Sequence, residues 1–262
     1  MPNFIAATAL RVSPTTIKLL NGMFRFYAKV AQKVYHGSKI HRRKRGRNGF
    51  DKMFGPTRTD TKVGFFDIDV NVHMNNAKFL EACELGRWDF CAQNGMLKVW
   101  FENLMNKKNV GAVFPVIASC NIKFLKQLKY NEKFYIKTSI TGIDDKYAYF
   151  EQQLHKQKSH KCAAKMFGKT AMLGRTQPNS SNFVVIPPAD VFKEMVEKKI
   201  FVPSSENSIS ENSISENVNP FCINDFSIYM PPVDKDLLKW IELDRPNSQI
   251  IYNSCVASDV NR

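Results

Sequence analysis

Asp67-Ile-Asp69-Val-Asn71-Val-His73-Met-Asn75-Asn76 sets two acids, three amides and an imidazole directly before Ala77-Lys-Phe-Leu-Glu-Ala-Cys-Glu-Leu-Gly-Arg-Trp-Asp-Phe-Cys-Ala. Asn75 or Asn76 is a good N-cap, because its side-chain oxygen takes a backbone N–H that the first helical turn leaves unpaired. Phe79, Cys83, Gly86 and Phe90 then recur at helical spacing and define one apolar face. A helix start presents free N–H groups and a partial positive charge, so an anion or a polarised carbonyl is favoured beside it. Asp69 is thereby placed where a carboxylate stays ionised at neutral pH next to an electrophile.

Outward from this stretch, Thr59–Phe66 reads as a short strand before the turn, and Asn94-Gly95 as the end of the helix. Lys98–Lys108 gives a second, weaker helical pattern. Alternating stretches follow. Val116, Ala118, Cys120, Ile122 and Phe124 share one phase, as do Phe134, Ile136, Thr138 and Ile140. Ala148, Phe150, Gln152 and Leu154 form a third set, and Cys162, Ala164, Met166 and Met172 a fourth, with Lys165 and Lys169 pointing outward. Period-two alternation with short polar connections predicts antiparallel strands with one wet face. A single helix before such a sheet gives the class α+β.

The ends differ from this body. Residues 1–58 hold 13 Lys/Arg and one acid, while the rest holds 25 Lys/Arg and 23 acids. The basic excess belongs to the leader, so no nucleic-acid partner is read from it. Residues 1–50 are acid-free, with Arg11, Lys18, Arg25, Lys29 and Lys33 among apolar side chains, which describes a mitochondrial presequence. A basic amphipathic segment touching a membrane surface is the other reading, with cytoplasmic or membrane-surface location. No apolar run reaches the roughly 18–20 residues of a membrane span. Residues 204–217 repeat Glu-Asn-Ser-Ile-Ser, too polar to bury, and 204–220 is expected as a disordered insertion. Residues 231–241 suggest a final helix packed on the body. The boundaries expected are 1–58, 59–176 and 177–262. The six cysteines show neither CxxC pairs nor metal-ligand spacing and read as reduced thiols.

The residues alone leave three readings of 67–76. Asp69 is a general base or nucleophile on an acyl group, with helix-start N–H groups as the oxyanion site. Alternatively Asp69 and His73 hold a metal, or the Asp and Asn residues only close a turn.

The motif, with the Ala-Lys-Phe-Leu that follows, resembles the signature of hot-dog-fold acyl thioesterases of the 4-hydroxybenzoyl-CoA thioesterase type. Asp69, Asn71, His73 and Asn76 are also similar to the catalytic stretch of plant acyl-carrier-protein thioesterases. The body, with the tail Met230–Asn253 and its Pro-Pro…Leu…Trp-Ile ending, resembles most the thioesterase-superfamily-member-6 proteins. The resemblance implies a hot-dog fold, an antiparallel sheet wrapped around one long central helix, dimeric or tetrameric, with acyl-CoA in a tunnel between subunits. It implies Asp69 as the catalytic acid, Asn71 and His73 as supporting polar residues, and Asn76 and Ala77 as oxyanion amides. Asn75 and Asn76 would cap and fix the turn. No cofactor or metal is implied. The glycine that often precedes the histidine is Val72 here, which predicts an altered backbone path. The alternative is a hot-dog protein that binds acyl groups or scaffolds at a membrane without catalysis.

Overall fold

The computed structural model describes residues 53–198, 200, 230–244 and 249–252. The basic leader up to residue 52 and the 204–220 insertion lie outside the described residues.

Strand β1 (Thr57–Lys62) enters a single 3-10 turn at Phe65–Asp67 and then the 67–76 loop. Two helices follow, α1 (Asn76–Gln93) and α2 (Met96–Met105). They are separated by Asn94 and by Gly95, whose φ of 81° is one that glycine adopts without a Cβ clash. The long antiparallel strands are β2 (Gly111–Phe124), β3 (Lys133–Ile143), β4 (Tyr147–Lys156) and β5 (Cys162–Arg175). Then come β6 (Val184–Ile186), α3 (Pro188–Glu197), α4 (Lys235–Asp244) and β7 (Ile251–Tyr252). The order across the sheet is β1-β3-β4-β5-β2, with β6 on β5 and β7 on β3. The sheet curls around α1, so the class is α+β and the arrangement is the hot-dog fold. No described helix is long and apolar enough to cross a membrane.

Helix α1 buries the expected face: Phe79, Cys83, Gly86 and Phe90 are all inside. Gly86 lets the helix approach the sheet, because a Cβ there would stand 3.0 Å from Gln152 Nε2, Ile136 Cγ2 and Thr138 Oγ1. Under the first turns of α1 lie Val63, Met74, Phe134, Ile136, Leu154 and Met166. Under its last turns, Phe90 meets Phe150 edge-on at 5.5 Å. Phe54 meets Phe192 of α3 at 4.7 Å in the same core. Met53 and Phe54, ahead of β1, are thus part of the core, and each such buried side chain contributes about 1.5–3 kcal/mol.

Two expectations are corrected. The inward phase of β2 is inverted only as far as the bulge: Val116 and Ala118 are exposed while Ile117 is the more covered, and beyond it Ile122, opposite Met166, keeps the expected side against the core. A bulge between Ile117 and Ser119 shifts the alternation, and β2 is an edge strand among the described residues. Nor is the outer face of the sheet simply wet. Val233, Leu237 and Ile241 lie over Tyr149 and Phe167. Lys165 and Lys169 point outward as expected but meet partners there, Lys165 pairing with Asp234 and Glu151, and Lys169 with Asp244.

Candidate active site

The 67–76 stretch closes into a small hairpin. Asp69 N–H donates to His73 O and Val72 N–H to Asp69 O, both at 3.0 Å. The turn is tied to the body by Asn75 N–H donating to Asp67 O at 2.8 Å and Met74 N–H donating to Leu128 O at 2.7 Å. Asp67 is spent on the backbone, its Oδ2 accepting from Gly64 N–H at 2.7 Å. Val72 takes φ 61°, left-handed backbone that glycine enters freely and a β-branched residue enters at a cost. The turn therefore has the conformation that a glycine there would favour.

Asp69 is half-buried. Its Oδ1 accepts from Asn71 N–H at 2.9 Å and lies 3.7 Å from His73 Nδ1, ion-pair range rather than a hydrogen bond. Among the described residues its Oδ2 accepts nothing, so one carboxylate oxygen is open. Asn71 is exposed and contributes its backbone N–H, while His73 is half-buried beside the acid. Asn75 is the N-cap, its Oδ1 accepting from Ala77 N–H at 2.8 Å. Ala77 N–H is thus already engaged. Asn76 N–H, the first of the helix, meets no acceptor among the described residues and is left open as a donor. Around this turn Phe65, Phe66, Val70, Val72 and Tyr130 are exposed apolar or aromatic side chains, with Phe65 edge-on to Tyr130 at 6.3 Å.

A groove of about 560 Å³ runs along the outer side of α1 against β2 and β5, from Leu80 and Glu81 to Cys91 and Thr170. Asp69 does not line it within one chain. Arg87, which sequence reading passed over, does. Its Nη1 donates to Gln152 Oε1 at 2.7 Å. Gln152 Nε2 in turn donates to Cys83 O at 2.8 Å and to Thr138 Oγ1 at 3.0 Å. Burial pushes the guanidinium pKa below its ordinary value. The available signal was Gln152 itself, an amide on the otherwise apolar inward phase of β4. Burial also pushes the thiol of Cys83 up to about 12 and that of Cys91 higher still. Neither is a nucleophile at neutral pH.

Residues 63–199 match the family model described as the thioesterase-like superfamily, just over half of the chain, taking in the turn, α1 and the strands β2 to β6. The chain belongs to the thioesterase-like superfamily. Within that superfamily it is similar to Protein THEM6 of Xenopus laevis, 24% identical over 137 residues, covering 52% of this chain and 57% of the relative. Protein THEM6 of Danio rerio is 28% identical over 92 residues, covering 35% of this chain and 42% of that one. The chain thus spans about half the length of the curated relatives it matches. Among solved structures it is similar to YbaW, a probable thioesterase from Escherichia coli, at 19% identity and a TM-score of 0.42. That match covers 55% of this chain and 98% of the other.

Proposed function

We propose that this member of the thioesterase-like superfamily hydrolyses acyl-CoA to a free acid and CoA. The observation that carries the reading is Asp69, fixed by the closed turn through one carboxylate oxygen and open at the other, just before the start of α1. In the general-base route Asp69 takes a proton from water as the water oxygen attacks the thioester carbonyl. Asn76 N–H holds the oxyanion of the tetrahedral intermediate. Collapse breaks the carbon–sulfur bond, and the proton held by Asp69 passes to the departing thiolate. In the nucleophilic route the carboxylate attacks the carbonyl, and the carbon–sulfur bond breaks to release CoA thiolate and leave a mixed anhydride. Water later cleaves the anhydride, supplying the proton that the thiolate takes up. His73 beside Oδ1 and the Asn71 amide keep the carboxylate oriented in either route.

The groove beside α1 is the acyl site. It is lined by one protomer while the acid lies outside it, so the working unit is a dimer that sets Asp69 of one copy at the groove of the other. The exposed edge strand β2, with Val116 and Phe124, supplies a pairing surface for that dimer. Residues 1–50 are proposed to direct the chain to mitochondria, and a fused reporter that stays diffuse or nuclear overturns this.

The test is release of CoA from a panel of short to long acyl-CoAs, with the Asp69→Asn variant beside the wild type. Loss of about a thousandfold or more in kcat is expected for the variant. Equal rates for both proteins on every chain length overturn the reading in favour of an acyl-binding or scaffold protein. Single-turnover hydrolysis in oxygen-18 water separates the routes, since label enters Asp69 only after nucleophilic attack.

A further inference from the structure

We infer that Arg87 makes this groove selective for an acyl group bearing a carboxylate, the guanidinium binding the far end of the chain while the thioester sits at the helix start. The inference rests on the reading of the groove as the acyl site.

Two features of the lining are at odds with a plain hydrocarbon. The first is Arg87. A guanidinium carries five N–H donors in a fixed fork. Among the described residues Nη1 is engaged by Gln152 and lies 3.9 Å from Met166 Sδ, whereas Nε and Nη2 donate to nothing. Nε and Nη2 together form the edge that grips a carboxylate at two points. No described carboxylate lies within 4 Å of it; Glu84, one turn earlier, is exposed, and Glu81 is paired with Lys78. The second feature is Thr170, 2% exposed at the other end of the lining, whose Oγ1 has no partner among the described residues. A buried hydroxyl left unpaired costs about 1–3 kcal/mol, and a polar ligand group removes that cost.

The guanidinium is also held in advance. Gln152 and Thr138 are fully buried, and their hydrogen bonds run from the α1 backbone through β4 to β3, so Arg87 Nη1 is anchored to the rigid core. Such anchoring lowers the entropy lost when an anion is bound. The ligand class is therefore the mono-CoA thioester of a dicarboxylic acid.

The experiment compares kcat/KM of the full chain on dicarboxylic mono-CoA thioesters with that on unsubstituted acyl-CoAs of equal length. Binding of the corresponding thioether analogues, which cannot be hydrolysed, is measured in parallel by calorimetry. The carboxylate is expected to improve kcat/KM and affinity about ten- to a hundredfold. Arg87→Met should abolish that ratio and Arg87→Lys should restore part of it. A wild-type ratio of one or below, or an Arg87→Met variant that keeps the ratio, overturns the inference. So does conversion of the Arg87→Met and Arg87→Lys proteins to monomers, which would give Arg87 to the partner copy instead. Carboxylate-dependent binding without hydrolysis of any thioester leaves Arg87 its role and overturns the catalytic reading alone. Hydrolysis without carboxylate preference does the reverse.

Discussion

The amide of Val72 reaches back to the carbonyl of Asp69 at 3.0 Å, and to do so Val72 holds a φ of 61°. A β-branched residue in that region costs on the order of 1–2 kcal/mol, because its Cβ crowds the following carbonyl oxygen. Asn tolerates left-handed backbone better than other residues carrying a Cβ. Val72→Asn should therefore stabilise the protein by about 1 kcal/mol, a rise of roughly 2–4 °C in Tm by calorimetry. A lower Tm would mean that the Val72 side chain contributes packing that outweighs its strain.

Asn75 both caps α1 and occupies Ala77 N–H. Asn75→Ala should cost about 1 kcal/mol in urea unfolding through loss of the cap. Because Asn76 N–H is the open donor, kcat on acyl-CoA should fall less than about tenfold, since a lost helix cap disturbs the start of α1 without removing that amide. A collapse as deep as that of Asp69→Asn would show that the Asn75 side chain itself serves the reaction, beyond capping α1.

Gly86 stands where a Cβ would press on Gln152, Ile136 and Thr138 at 3.0 Å. All three are fully buried and cannot swing aside into solvent. Gly86→Ala should destabilise by about 1–3 kcal/mol despite the better helix propensity of alanine. It should also displace Arg87 through Gln152, weakening ligand binding in the groove. Unchanged denaturant midpoints would show that α1 can lift off the sheet at little cost.

The strap of α4 over the sheet has a pH signature. Burial alone would depress the ammonium of Lys165, but its hydrogen bond to Asp234 and the charges of Glu151 and Asp234 outweigh that and raise its pKa. A raised lysine stabilises fully below its unfolded value of about 10.4, and the contribution is lost as pH climbs through the folded value. Amide exchange of residues 235–244 should therefore stay slow through neutral pH and accelerate above about pH 10 beyond its chemical rate. Lys165→Met should remove that step and cost about 1 kcal/mol.

Thiol labelling separates the cysteines by position. Cys83, with its pKa pushed up to about 12, carries about one thiolate in ten thousand at pH 8, and Cys91 still fewer. Cys120 is exposed at the groove. Among the four described cysteines, iodoacetamide followed by mass spectrometry should modify Cys120 first, and a groove ligand should slow that reaction. Early labelling of Cys83 would show that α1 opens from the sheet in the native state.

What was legible in the sequence followed from local period and local chemistry. The inward phases of β3 and β4 read correctly, since Phe134, Ile136, Thr138 and Ile140, and Ala148, Phe150, Gln152 and Leu154, are all buried. The site turn was legible because ten adjacent residues carry it. The phase of β2 was not, since a bulge is a property of the pairing with β5 and leaves no mark in the run of residues. Arg87 and Gln152 are 65 residues apart, and Lys165 and Lys169 find Asp234 and Asp244 at 69 and 75 residues' remove. Such partners are fixed only once the sheet has curled.

The covering of Tyr149 and Phe167 by Leu237 and Ile241 bears on biosynthesis. A ribosome adds about 5–20 residues per second, so the seventy residues between Phe167 and Leu237 take roughly 4–14 s to emerge. Throughout that interval the nascent sheet has a greasy back and no lid. The growing chain is most prone to clump before residues 233–241 emerge, and holding chaperones would find their target on that surface.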